Sequence, residues 1–302
     1  MKKYAILKSV FVLSITIAIF YFIFTKIDFY SVAEVLSHAN HFYLLIALLL
    51  MIIYIHIVPK RWQTILKTMD YKLQYKECFN VMMGAQPLAS ITPSKSGDII
   101  KAYYLKDKIP ASKTVGSIIT ERMFDVLTLV LFSLIGMMFS KKYELGGITF
   151  VIFICIIVIF LLTHTGFDFR SPIKNSWNEK IQNLTFSMKL VTKDKKAFLS
   201  ILSYSFLIWF ISILQILIFF YALGISIPLI FAMIKIPIAI FIGFIPVTLG
   251  GMGTRDAAII FLFSIYGAPS QLLGVGILFS VFRYLLPALF GLPFMRKIMI
   301  HK

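Results

Sequence analysis

Charge is scarce in this chain: only 14% of its 302 residues are Asp, Glu, Lys or Arg, and just 13 are acidic. A water-soluble globule carries about 25% charged residues, so a soluble domain is excluded. Cysteine is nearly absent as well. Cys78 and Cys155 stand far apart without a C-x-x-C or His-paired spacing, which excludes a disulfide framework and a zinc site and leaves two buried or lipid-facing thiols. The five histidines, His38, His41, His56, His164 and His301, are scattered near the ends of apolar runs and make no metal constellation. No G-x-G-x-x-G opens a βαβ unit and no G-K-[ST] is present, so dinucleotide and Walker-type nucleotide sites are excluded too. No catalytic set, metal or cofactor is expected.

What the chain has instead is apolar mass: 59% hydrophobic residues, 30 phenylalanines and a mean hydropathy of +0.90. A spanning helix needs about 20 mostly apolar residues. Six stretches qualify: Tyr4–Thr25, Phe42–Pro59, Thr114–Ser140, Leu145–Thr163, Ala197–Gly224 and Gln271–Phe294. No small-residue cleavage site follows the first, so it reads as a retained span rather than a signal peptide. Two further apolar stretches, Cys78–Ile109 and Ile225–Gly267, are broken by Pro, Gly and charge near their middles and read as re-entrant hairpins. The expected fold is therefore an all-α polytopic membrane protein, a single membrane domain of about six transmembrane helices plus two re-entrant helical hairpins.

The net charge of +17 alone would suit nucleic acid or an anionic membrane surface. Its placement decides for the membrane. With a cytoplasmic N-terminus, 23 of the 30 cations fall on inside segments, three (Lys26, Lys141, Lys142) fall outside, and Arg122, Lys235, Arg255 and Arg283 fall within membrane segments. That asymmetry places both termini in the cytoplasm of a multi-pass cell-membrane protein. The chain then divides into inverted halves, about 1–142 and 143–302, each built as span, span, hairpin, span. The extramembrane stretch 171–196 carries Trp177, Ile181, Leu184, Met188 and Val191 on one helical stripe beside Lys174, Lys180, Lys189 and Lys193. It reads as an amphipathic helix on the cytoplasmic leaflet, with a solvated linker as the alternative.

Charges inside a bilayer cost about 2.5 to 3.5 kcal/mol each on insertion scales, so each is a candidate for function. Three clusters carry them. The first runs from Gln86-Pro87 through Thr92-Pro93, Lys95, Gly97 and Asp98, followed by the stretch from Ile99 to Leu105 that carries Lys101. Its breakers allow Ser96 to cap a helix with Asp98 in the first turn, an anion-binding helix start, unless it is an ordinary loop-to-helix turn. The second is Glu121, Arg122 and Asp125, spaced to share a helix face and serving either a substrate or a structural ion pair. The third is Pro246 followed by Gly250, Gly251, Gly253, Thr254, Arg255 and Asp256. There glycine permits close backbone approach, Thr254 is the expected cap, and a short apolar half-helix runs to Gly267; small-residue helix packing is the competing reading.

These clusters resemble the lysylphosphatidylglycerol synthase transmembrane-region family, also called flippase-like membrane proteins. Pro93-Ser94-Lys95-Ser96-Gly97-Asp98 with Lys101, Glu121-Arg122-x-x-Asp125, and Pro246 with Gly250-Gly251-x-Gly253-x-x-Asp256 match its motifs in order and spacing. Asp98 and Asp256 stand where Glu is commoner, and Lys101 where Arg is. The resemblance implies moving or presenting phosphate-bearing lipids, without the aminoacyl-transferase domain of the family's bifunctional members. The expected function is a lipid translocase, not an enzyme, acting on an anionic or aminoacylated phospholipid or a polyprenyl-phosphate-linked lipid. Its headgroup would meet Lys95, Lys101, Arg122, Arg255 and the helix starts, with Asp98, Glu121, Asp125 and Asp256 balancing charge, and with Arg122, Arg255, Glu121, Asp98 and Asp256 converging on one cavity. The alternatives are a membrane enzyme acting on a lipid phosphate and a small-anion secondary transporter. The expected partner is membrane lipid, with no role for nucleic acid.

Overall fold

The computed structural model describes Ser14, Tyr21, Thr25 and residues 27–92, 95–140, 146–165, 186–245 and 248–300. Among these there are helices and no strand. In chain order they are α1 (Phe29–Ser37), α2 (His41–Thr68), α3 (Tyr75–Ser90), a 3-10 turn (Ser96–Ile99) running into α4 (Ile100–Tyr104), α5 (Ala111–Ser140) and α6 (Gly146–Thr165). Residues 186–193 are helical. They are followed by α7 (Lys195–Ala222), α8 (Leu229–Gly243), α9 (Thr254–Phe263), α10 (Pro269–Ser280), a π turn (Val281–Leu285) and α11 (Leu286–Ile300). The expected first span, most of the 171–196 helix, and Pro93, Ser94 and Pro246 lie outside the described residues.

Among the described residues three helices are long and apolar enough to cross a bilayer: α2, α7, and α10 continued through the π turn into α11. The broken stretches are helix–break–helix. The first is α3 followed by the 3-10 turn and α4, and the second is α8 followed by α9, which pack against each other. Several boundaries move. Pro59 does not end α2, which runs nine residues further to Thr68. Membrane helices tolerate proline where neighbouring groups satisfy the freed carbonyl. Ser96 does not cap α4: the 3-10 turn precedes it, and its N-cap Ile99 makes no side-chain hydrogen bond.

The chain groups into two units by contacts. The first takes Met1–Ile53, Gln86–Gly97 and Ile211–Leu292, and the second takes Tyr54–Ala85, Asp98–Phe210 and Pro293–Lys302. In the first, Val32 and Ile27 pack on Leu273 as α1 lies against α10, and Phe220 stacks on Phe263 with ring centroids 4.8 Å apart. In the second, Phe124, Phe160 and Phe198 form a triangle of rings 5.2 to 5.7 Å apart, within a core that includes Ile65, Val191 and Ile201. Large apolar side chains also remain on the surface, Phe261 at 80% and Ile265 at 75% exposure among them. Such a surface suits hydrocarbon rather than water.

Candidate functional site

In the second unit α2 continues past Pro59 and so carries Arg61 into the interior, where it is 3% exposed. Arg61 Nη1 donates to Asp125 at 2.5 Å, and its Nη2 donates to Glu121 at 3.3 Å. Glu121 also pairs with Lys101 at 3.4 Å, and Lys101 with Asp98 at 3.6 Å. Asp98 accepts from Arg122, and Arg122 pairs with Asp125 at 3.2 Å. The six groups close into a ring in which every charge stands between two of opposite sign. Three cations and three carboxylates make the ring formally neutral. Trp209 Nε1 donates to Asp125 at 2.9 Å, Ser205 accepts from Arg61 at 3.0 Å, and Lys101 lies over the Trp62 ring at 5.1 Å. The ring is buried except at Arg122, whose side chain is 33% exposed.

The α5 spacing brings Glu121, Arg122 and Asp125 together as expected from the sequence, and the 3-10 turn with α4 adds Asp98 and Lys101. Lys101 does not flank an open helix start. Its ammonium is committed to two carboxylates and its side chain is 1% exposed. Sequence reasoning counted Arg61 only as one of the 23 cations on inside segments and missed its role, as it missed Ser205 and Trp209. The signal was Pro59-Lys60-Arg61-Trp62: a helix tolerant of proline carries Arg61 and the buried Trp62 inward.

In the first unit Gly253, with φ of 95°, is the N-cap of α9, and its N–H donates to Asp256 Oδ2 at 2.9 Å. Thr254, the expected cap, is instead the first helical residue and shares a hydrogen bond with Thr248. Arg255 is 2% exposed. Its Nε and Nη2 donate to Asp256 Oδ1 at 3.0 and 2.5 Å, and Nη2 also reaches the Gly276 carbonyl at 3.1 Å and Ser280 Oγ at 2.6 Å. Its Nη1 is buried without a hydrogen-bond partner. The guanidinium carbon lies 4.7 Å from the Phe279 ring centre and 5.8 Å from that of Tyr284, and Lys95 Nζ stands 4.9 Å from the same Tyr284 ring.

Close backbone approach makes room for this pair. A Cβ on Gly276 would sit 2.5 Å from an Asp256 carboxylate oxygen. At Gly251, with φ of 76°, a Cβ would stand 2.6 Å from the Gly243 carbonyl, so both conformation and space require glycine there. Gly250 N–H donates to the Thr92 carbonyl at 3.4 Å, and Gly97 N–H to Thr92 Oγ1 at 2.7 Å. Ser90 Oγ donates to the carbonyl of Tyr284 in the π turn at 3.0 Å. A π turn inside a long helix often marks a functional position. Sequence reasoning passed over Gly276, Ser280 and Tyr284, which lie in what reads as an ordinary apolar span.

The predicted charges thus occupy two networks, Asp98, Lys101, Glu121, Arg122 and Asp125 in one unit and Arg255 and Asp256 in the other. Among the described residues no three His, Cys, Asp or Glu side chains gather as metal ligands.

A family model described as the lysylphosphatidylglycerol synthase TM region matches residues 6–291. Among similar proteins, a UPF0104 membrane protein of Methanocaldococcus jannaschii is 26% identical across 96% of this chain and 95% of its own. A UPF0104 membrane protein of Pyrococcus horikoshii is 22% identical over 96% of each chain. One of Methanothermobacter thermautotrophicus is 22% identical over 78% of this chain and 79% of its own.

Proposed function

This chain belongs to the family of the lysylphosphatidylglycerol synthase TM region, and from that premise we propose that it is a lipid translocase for a phosphate-bearing lipid. It is an integral multi-pass membrane protein. The observation that carries the reading is the burial of charged side chains beside the helix breaks: Lys101 at 1%, Arg255 at 2% and Asp98 at 8% exposure in an otherwise apolar chain. Ionised groups in a bilayer mark substrate paths more often than packing alone requires. In this reading the helix–break–helix stretches are re-entrant hairpins of inverted halves, beside about six spans, with both termini in the cytoplasm and the protein in the cell membrane. The headgroup crosses through a polar groove while the acyl or isoprenoid chains stay in lipid.

The test is reconstitution of the purified protein in liposomes containing fluorescent phospholipids or polyprenyl-phosphate lipids, with leaflet exchange followed by quenching from outside, with and without a pH gradient. Exchange faster than in protein-free liposomes is expected for at least one phosphate-bearing lipid. Rates equal to the protein-free control for every such lipid overturn the proposal.

A further inference from the structure

We infer that the groove between α6 and the start of α7 seats one anionic phospholipid, with an acyl chain in the groove and the phosphate on the lysines at its mouth. The seat shares no residue with the buried charges that carry the translocase reading.

The groove lies within the second unit and has a volume of about 350 Å³, inside the range of about 300 to 1,000 Å³ that small-molecule sites occupy. Ile157, Phe160 and Leu161 of α6 form one wall, and Phe198 and Leu199 of α7 form the other. Leu161 and Leu199 are 57% and 62% exposed, so the groove opens sideways, where hydrocarbon surrounds a spanning helix. Thr192 and Lys195 line its end, and of these lining residues only Lys195 is charged. Lys195 and Lys196 directly precede the apolar course of α7, which sets the mouth at the level of the headgroups.

Charge complementarity names the occupant. Residues 186–200 hold four exposed lysines, Lys189, Lys193, Lys195 and Lys196, against one carboxylate, Asp194. Asp194 is turned to the start of α7, where its Oδ1 accepts the backbone N–H groups of Lys196 and Ala197 at 3.0 Å each. Apolar contact alone selects no partner in hydrocarbon, because lipid tails are as apolar as leucine. The shape of the groove therefore holds a chain, and the lysines select an anionic headgroup, by about fivefold for each cation.

The seat is tied to the charge ring through α7. Phe198, Ser205 and Trp209 are spaced by seven and four residues and so share one helical face. Phe198 packs on Phe124, the neighbour of Asp125 in α5, while Ser205 and Trp209 bond Arg61 and Asp125. A seated chain backs the Phe160–Phe198 contact, whose ring centres are 5.7 Å apart, and braces the helix that supplies both neutral partners of the ring.

Native mass spectrometry of the full chain in a non-ionic detergent tests this with dioleoyl phosphatidylglycerol and dioleoyl phosphatidylcholine. One phosphatidylglycerol should be held at least about tenfold more tightly than phosphatidylcholine. Leu161→Trp, which fills the groove from its open side, should lower the number of tightly held phosphatidylglycerol molecules by one. Lys195→Gln should weaken that binding about fivefold. Val158→Trp, at an exposed position of α6 outside the groove, should leave it unchanged. Thermal melting gives a second readout: phosphatidylglycerol should raise the melting temperature of the wild type and of Val158→Trp by more than that of Leu161→Trp. Equal affinity for the two phospholipids, wild-type binding in either groove variant, or equal loss in Val158→Trp overturns the assignment. So does a dimer that Leu161→Trp dissociates with the lipid count unchanged, which gives the groove to a second copy of the chain. None of these results depends on leaflet exchange, so the translocase reading is decided by its own test.

Discussion

At the scale of single residues, magnitude separates the ion pairs that matter from those that do not. Lys108 and Glu77 stand 2.7 Å apart, but their side chains are 58% and 30% exposed, and such a pair contributes about 0 to 1 kcal/mol. Asp125 is 2% exposed and accepts from Arg61, Arg122 and Trp209. Removing it leaves the buried Arg61 and Trp209 and the partly exposed Arg122 each short of an acceptor, and leaves three cations of the ring facing two carboxylates. Breaking a buried network in this way costs about 3 to 5 kcal/mol. Thermal unfolding in detergent should show Asp125→Ala strongly destabilised and Lys108→Ala close to wild type. Equal melting temperatures for the two variants would show that water reaches the ring and screens it.

At the scale of the element, α1 shows how a cap couples a short helix to pH. Asp28 is its N-cap, accepting the Ser31 N–H at 2.9 Å and the Ser31 hydroxyl at 3.0 Å. The backbone N–H of Ser31 foremost, and then its hydroxyl, hold the exposed Asp28 carboxyl below its ordinary value. The folded pKa lies under the unfolded value of about 3.9, so the contribution is complete above that value and is lost as pH falls through the folded one. Hydrogen exchange, corrected for the intrinsic rate, should show α1 protected at neutral pH and loosened in strong acid. Asp28→Ala should be loosened at both, and Asp28→Asn should keep a pH-independent cap. Equal protection of all three proteins at neutral pH would mean that packing on Leu273 alone holds α1.

At the scale of the whole molecule, the proposed topology makes one testable demand: the lysine-rich segments and both termini face the cytoplasm. The two native cysteines allow a clean test, since Cys78 is buried and Cys155 exposed, and both can be replaced by alanine. On that background Lys3→Cys and Lys302→Cys should react with an impermeant maleimide only after cells are opened. Labelling of either position in intact cells would contradict the proposed arrangement, because that arrangement puts both ends in the cytoplasm.

The apolar runs by themselves determined that the chain is helical and membrane-embedded, because only a helix satisfies its own backbone in hydrocarbon. The breakers around Gly97 and Gly250-Gly251 likewise marked both helix interruptions, and i,i+3 and i,i+4 spacing made Glu121, Arg122 and Asp125 neighbours. Local pattern could not decide which distant groups these would meet. Arg61 reads as one more cation after an apolar run, yet the continuation of α2 past Pro59 inserts it between Glu121 and Asp125, some 60 positions away. Gly276 and Ser280 look like ordinary span residues until α10 packs against α9, and the absence of a Cβ at Gly276 lets Asp256 approach. Periodicity follows from the short-range geometry of one helix. Charge pairing depends on which helices touch, and only the tertiary structure decides that.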